Sequence, residues 1–232
     1  MLLKRWEDLP KIMRTEEVKP YYDVLQKHKV SLFLKRIFDF LVSLILLLII
    51  WPVLGIIAIA VRLDSPGPVF FRQERITTYG KKFRIWKFRT MVANAEKIGS
   101  QVTVSNDRRV TRIGKILRGV RLDELPQVIN ILVGEMSFVG TRPEVSKYVE
   151  AYRPEFFATL LLPAGVTSEA SIRYKDESRL LAEAGNADKI YIEKILPDKM
   201  AWNLEAIRKF SFHNEIRTMM RTVLAVLGKE YQ

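Results

Sequence analysis

The run Leu122-Asp123-Glu124-Leu125-Pro126-Gln127 sets two carboxylates side by side just ahead of an apolar stretch, in a chain with 38 Lys and Arg against 26 Asp and Glu. Leu125, Val128, Ile129 and Leu132 then recur at helical spacing up to Gly134, with Pro126 in the first turn, where a missing N–H costs nothing. Asp123 and Glu124 thus fall at the positive end of a short helix. The plainer reading is a capping pair. The chemical reading is that the dipole and surrounding cations lower both pKa values and keep both groups ionised. That suits a carboxylate nucleophile or a Mg²⁺ ligand and disfavours a general acid. Mg²⁺ is usually held by one or two carboxylates together with substrate phosphate oxygens. The cations that could accompany such chemistry include Arg72, Arg75, Arg84, Lys87 and Arg89, then Arg108, Arg109, Arg112, Lys115 and Arg118. Any one of them taken alone reads as solvated. Thiolate chemistry is excluded because the 232 residues contain no cysteine, and the only two histidines, His28 and His213, are far apart.

The elements that must position these groups begin with an apolar segment. Ile37 to Val61 is 25 residues long with Asp39 as its only charge. As a helix it covers about 37 Å, more than a hydrocarbon core of about 30 Å. Asp39 lies at helical spacing from Lys35 and Arg36, which predicts an interfacial ion pair. Residues 1 to 36 hold nine Lys and Arg against five Asp and Glu, so spanning would export a basic arm. The charge pattern and Pro52 suit a helix that enters and returns through one leaflet, although proline also kinks helices that span. The first 30 residues lack a sustained period and read as an amphipathic or loosely attached arm.

Ser65-Pro66-Gly67-Pro68 ends any helix leaving the membrane. Val69–Ile76 and Phe83–Met91 flank a turn at Tyr79-Gly80-Lys81 and read as a β-hairpin. Asn106-Asp107 reads as a cap for a basic amphipathic helix over Arg108–Arg118, suited to anionic headgroups. A last helix from Glu215 to Leu227 carries Ile216, Met219, Met220, Val223, Leu224 and Leu227 on one face; core packing is its ordinary explanation and membrane docking the alternative. A net charge of +12 calls for an anionic partner, and the apolar segment favours phospholipid and phosphorylated substrates over nucleic acid. Acids, arginines and membrane together point to phosphoryl chemistry at a lipid surface.

Four ordered blocks then resemble a known family. They are Ser65-Pro66-Gly67-Pro68-Val69-Phe70-Phe71-Arg72-Gln73-Glu74-Arg75, Lys87-Phe88-Arg89-Thr90-Met91, Leu122 to Gln127 with Asn130, and Gly134-Glu135-Met136-Ser137-Phe138-Val139-Gly140-Thr141-Arg142-Pro143-Glu144. With these the chain resembles the bacterial sugar transferases, the monotopic phosphoglycosyl transferases, from about Phe33 onward, and among them a small, minimal member. The resemblance implies a mainly α fold with a small β-hairpin, in which a re-entrant membrane helix (35–62) follows an arm (1–34) and leads into a compact membrane-surface catalytic domain (63–232). It implies the bacterial inner membrane, with the domain and both termini on the cytoplasmic face.

The implied reaction passes a sugar-1-phosphate from a UDP-sugar to polyprenyl phosphate, giving polyprenyl diphosphate-sugar and UMP, as the first membrane step of a bacterial glycan. Asp123 would be the nucleophile, forming an aspartyl phosphosugar, and Glu124 with Asp123 would hold Mg²⁺. Arg118 and Arg142 match positions around phosphate, with Lys87 and Arg89 in a phosphate or structural role. Gln127 and Asn130 would support the site from behind. A reaction with both substrates bound together, or a catalytically silent adaptor of a polysaccharide assembly complex, are the competing readings. A homo-oligomer and downstream glycosyltransferases are left open as partners. Two departures from the family pattern stand out: Trp51 precedes Pro52 where a serine is usual, and Ala164 and Ser168 alter the block Pro163-Ala164-Gly165-Val166-Thr167-Ser168.

Overall fold

A computed structural model describes residues 3–95, 107–174 and 187–226. Helices dominate. Short 3-10 turns lead into α1 (Lys19–Lys27) and then α2 (Lys29–Asp64), a single 36-residue helix with Pro52 inside it. Among the described residues α2 is the one helix long and apolar enough to cross a membrane. Its middle is uncovered: Leu41, Ile45, Leu48, Ile49, Trp51 and Ile56 are all exposed.

Both ends of α2 are bound to the same domain. Near the start, Arg36 donates to the carbonyls of Ile131 and Leu132 at 2.8 and 3.0 Å, and Lys35 donates to the Val139 carbonyl at 2.8 Å and to Glu215. Asp39 accepts from the Phe138 amide at 3.2 Å. The expected pairing of Asp39 with Lys35 and Arg36 is therefore absent, because each of the three finds a partner in the domain. Near the end, Ile57 and Val61 pack with Phe88 and Leu117, and Asp64 accepts from the Ile113 amide at 3.1 Å.

The hairpin forms as expected, with β1 (Phe70–Ile76) antiparallel to β2 (Lys82–Phe88) and Phe71 opposite Lys87. Strand alternation puts Phe83, Ile85 and Lys87 on one face, together with Gln73 and Arg75 from the partner strand. Phe83 and Ile85 pack on Ile131 and Met136, which leaves Lys87 at the end of the buried row. The basic helix is shorter than expected. It is α3 (Arg112–Gly119), capped by the Thr111 hydroxyl and not by Asn106-Asp107; Asn106 lies outside the described residues. Gly114 is required here, since a Cβ would overlap the Thr90 carbonyl against which α3 is pressed.

A 3-10 turn (Leu122–Glu124) leads to α4 (Gln127–Val133), so Pro126 sits at the cap and the carboxylates one turn before the helix. The helix ends on Gly134 at φ +87°, and the Arg36 guanidinium covers its last carbonyls. A second sheet, which the sequence reading did not include, pairs β3 (Met136–Val139) in parallel with β4 (Ala164–Thr167). Then come α5 (Ser146–Val149), which precedes β4, and α6 (Glu169–Arg173). Residues from Ala187 run through α7 (Ala187–Ile190) and a π-helical turn into α8 (Leu196–Arg208), and α9 (Phe212–Val226) closes the described chain.

Residues 3–30 are not loosely attached. Leu9, Met13, Val18, Tyr21, Tyr22 and Leu25 are buried in the largest core cluster, against residues of α8 and the 3-10 segment Pro154–Leu161. On α9, Ile216 and Met219 line a crevice against Phe38 while Met220 and Val223 are exposed. Leu227 lies outside the described residues.

Candidate active site

Glu124 is the centre of the charged constellation. Its Oε1 accepts from Lys87 Nζ at 2.7 Å and from Arg142 at 2.6 Å, and its Oε2 faces the other Arg142 nitrogen at 3.4 Å. Three separate elements meet here: the end of β2 brings Lys87, the 3-10 turn brings Glu124, and the loop after β3 brings Arg142. Burial alone would push the Glu124 carboxyl up, but Arg142 and Lys87 more than offset this and hold it well below the usual range. Burial also pulls the Lys87 ammonium down, against the attraction of Glu124.

Asp123 behaves differently from its neighbour. Among the described residues it makes no ion pair and takes no hydrogen bond from another side chain, only one from its own backbone, and burial, reinforced by the Glu124 charge, raises its pKa despite Lys87 and Arg118. The expectation that both carboxyls are depressed therefore holds for Glu124 and fails for Asp123. The cause is local: the cations are spent on Glu124, so desolvation wins at Asp123. The turn bearing the pair starts from Arg121 in the left-handed region at φ 57°, a conformation that costs energy for a non-glycine residue.

Arg118 faces Asp123 electrostatically and is itself fixed by donating to the Thr90 hydroxyl at 2.7 Å. Arg89 is not part of this group. Its guanidinium donates to the carbonyls of Ser65 and Pro66 at 2.6 and 2.8 Å and to the Ser65 hydroxyl at 2.9 Å, tying the end of α2 to β2. Asn130 is fully buried and joins α4 to β2, accepting from the Trp86 amide at 2.9 Å and donating to the Arg84 carbonyl at 3.1 Å. Gln127 is also buried, with its amide nitrogen unpaired among the described residues.

Arg75, for which the sequence leaves both an anion-site and a solvated reading open, belongs with the site. It donates to the Pro143 carbonyl at 3.0 Å, beside Arg142, and senses the charges of Glu144, Arg142 and Glu124. Strand alternation could have found it, since it shares the inward face with Lys87. Behind it, Glu144 is buried against the Tyr191 hydroxyl and Lys199.

No group of three His, Cys, Asp or Glu side chains is arranged to hold a metal among the described residues. Asp123, which has no ion pair among the described residues, and the adjacent Glu124 are the carboxylates that would hold Mg²⁺ if it binds in its usual mode with substrate phosphates.

A membrane-length helix bound at both ends to a domain with a carboxylate pair ringed by basic residues defines the class of protein. The family model described as "Bacterial sugar transferase" matches residues 30–229, and the chain belongs to that family. It is 40% identical over 211 residues to the UDP-glucose:undecaprenyl-phosphate glucose-1-phosphate transferase of Escherichia coli (strain K12), covering 89% of this chain and 42% of that protein. Against the UDP-N-acetylgalactosamine-undecaprenyl-phosphate N-acetylgalactosaminephosphotransferase of Aeromonas hydrophila the identity is 33% over 198 residues, covering 84% of this chain and 44% of that protein. A glucose-1-phosphate transferase of the first kind from Caulobacter vibrioides is 32% identical over 196 residues, 83% of this chain and 69% of that protein. The chain thus spans less than half the length of the first two relatives.

Proposed function

We propose that this chain is a phosphoglycosyl transferase that moves a sugar-1-phosphate from a UDP-sugar to polyprenyl phosphate. The observation that carries the reading is the division of labour between adjacent carboxylates, Glu124 held by Lys87 and Arg142 and Asp123 left without a cation bound to it. A more basic carboxylate is the better nucleophile once ionised. In the first step an Asp123 carboxylate oxygen bonds to the sugar-bearing phosphorus, and the bond from that phosphorus to the bridging oxygen breaks, its electron pair leaving with UMP. In the second, a phosphate oxygen of polyprenyl phosphate attacks the same phosphorus, releasing the Asp123 carboxylate and forming the diphosphate.

Charge on the transferring group must be neutralised in place. Arg142 and Lys87, already gathered on Glu124, and Arg118 beside Asp123 supply this. Mg²⁺, held by Asp123 and Glu124 with the substrate diphosphate, would add Lewis-acid neutralisation. Arg75 keeps the Arg142 loop in position through Pro143. Relatives named for UDP-glucose and UDP-N-acetylgalactosamine support a UDP-hexose donor.

Re-entry of α2 is the topology most consistent with its contacts. A helix that crossed the bilayer would carry its ends to opposite sides, and Arg36 and Asp64 could not both bind one domain. The domain would then sit on the cytoplasmic face of the bacterial inner membrane. The test of function is UMP release from purified protein given a panel of UDP-sugars, polyprenyl phosphate and Mg²⁺. A phosphosugar adduct on Asp123 with UDP-sugar alone is expected; turnover without any adduct, and near-normal turnover in Asp123→Asn, would sink the mechanism.

A further inference from the structure

Residues 141–145, between β3 and α5, belong to neither helix nor strand. Arg142, which grips Glu124, therefore lacks the regular main-chain bonding of an element, and its place depends on its flanks. On one side the Gly165 amide donates to the Thr141 carbonyl at 2.8 Å. On the other, Arg75 donates to the Pro143 carbonyl at 3.0 Å and the Ile76 amide to the Glu144 carbonyl at 2.9 Å.

The Glu144 side chain adds a further hold, and this one comes from far along the chain. Its Oε1 accepts from the Tyr191 hydroxyl and lies 3.9 Å from Lys199 Nζ, which itself donates to the Tyr191 oxygen at 3.1 Å. All three side chains are buried. Apolar residues would pack such a place at least as stably as a buried ion pair, so stability alone does not call for this cluster.

The backbone is shaped to build it. Along an α-helix, residues eight apart point about 80° away from each other, which would part Lys199 from Tyr191. The π-helical turn Tyr191–Ile195 takes in an extra residue, so the pair is spaced as if seven apart, within about 20° on one face. Pro197 favours that turn, because it has no N–H to give to the Glu193 carbonyl one turn back.

We propose that Tyr191 and Lys199 are positioning residues for the transfer reaction: through Glu144 they fix the loop that carries Arg142, and so the grip of Arg142 on Glu124. Neither residue touches substrate in this role. The inference rests on the phosphoglycosyl transferase reading and adds to it a dependence of the site on the segment leading into α8.

The test measures kcat and KM for UMP release by the full chain, with the best UDP-sugar of the panel, polyprenyl phosphate and Mg²⁺, beside the melting temperature. Tyr191→Phe keeps the ring, whose centre is 4.6 Å from that of Tyr148, and removes only the hydroxyl. It should lower kcat about ten-fold and change KM less than about two-fold, as for a charge-stabilising group displaced and not lost. Lys199→Met should act in the same direction. Tyr22→Phe makes the same chemical change at a buried tyrosine of the arm, whose hydroxyl donates to the Lys4 carbonyl, and should leave kcat as in the parent. In an Arg142→Lys background the two-nitrogen grip is already gone, so the further fall caused by Tyr191→Phe should shrink to less than about two-fold. An equal fall in both backgrounds, or the same fall in Tyr22→Phe, would mean general loosening and overturns the proposal. A parent that releases no UMP, or an Arg142→Lys variant as active as the parent, refutes the underlying reading of the site and the positioning role with it. An active, Arg142-dependent parent whose Tyr191→Phe variant keeps its kcat refutes the positioning role alone.

Discussion

Arg142 grips Glu124 with two nitrogens, at 2.6 Å to Oε1 and 3.4 Å to Oε2, across a separation of 18 residues. This contact joins the loop after β3 to the carboxylate turn, and Lys87 shares the same Oε1. Removing the carboxylate leaves two cations facing each other. Glu124→Ala is therefore expected to destabilise the fold by about 3 kcal/mol, the order found when one member of a buried pair is deleted. UMP release should fall at least about 100-fold, as for loss of a charge-stabilising group. Thermal unfolding together with a UMP assay checks both. The Glu124 pKa is depressed in the folded state, so its stabilisation is fully present above the ordinary 4.5 and is lost as pH falls below it.

Asp123 should show the opposite linkage. Its folded pKa is raised above the ordinary 3.8, so ionisation costs stability as pH rises through that value and beyond. Asp123→Asn is expected to abolish turnover while raising the melting temperature at pH 7. That gain should vanish below pH 3.8, where the aspartate is protonated in both states. Melting curves from pH 3 to pH 8 on the two proteins give the answer, and a variant less stable than the parent at neutral pH contradicts the assignment.

Arg89 anchors the end of α2 through Ser65 and Pro66. Its planar fork meets several acceptors at once, which lysine cannot do. Arg89→Lys should therefore lower stability by about 1–3 kcal/mol, and limited proteolysis should show faster cutting near residues 61–68. If Arg89 instead contacted substrate phosphate, the lysine would raise KM and leave the protease pattern unchanged.

Much of this site was legible in the sequence because its chemistry is local. Asp123 and Glu124 are adjacent, and the hairpin has clear β patterning around Tyr79-Gly80. What local pattern could not supply was the sorting of like residues by distant contacts. Arg75, Lys87 and Arg89 look alike in sequence, yet one steadies the Arg142 loop, one binds Glu124 and one ties down α2. The same holds for Asp39, whose helical neighbours Lys35 and Arg36 are claimed by Glu215 and by α4. Strands β3 and β4 have four residues each, too few for alternation to stand out.

Gly114 allows α3 to approach β2 closely enough for Arg118 to reach the Thr90 hydroxyl. Gly114→Ala raises helix propensity by about 1 kcal/mol yet places a methyl group on the Thr90 carbonyl. The clash should dominate, with a net loss of about 1–3 kcal/mol. It should also lower kcat, because Arg118 faces Asp123. A stabilised variant with unchanged kcat would show that α3 can shift without cost to the site.

The amino-terminal arm provides a test of packing that no active-site substitution can mimic. Its apolar residues fall in 3-10 turns and a nine-residue helix, so no single period ran through them, yet Leu25 and Met13 are completely buried. They pack in one cluster with Leu204 and Ile207 of α8, far along the chain. Leu25→Ala should cost about 2–5 kcal/mol, as for other leucines truncated in a close-packed core. A loosely attached arm would lose almost nothing. Because the arm and α2 are consecutive, the variant also reports on the base of the membrane segment: hydrogen exchange should rise at Leu32 and along α8, while vesicle binding through the exposed middle of α2 should be unchanged.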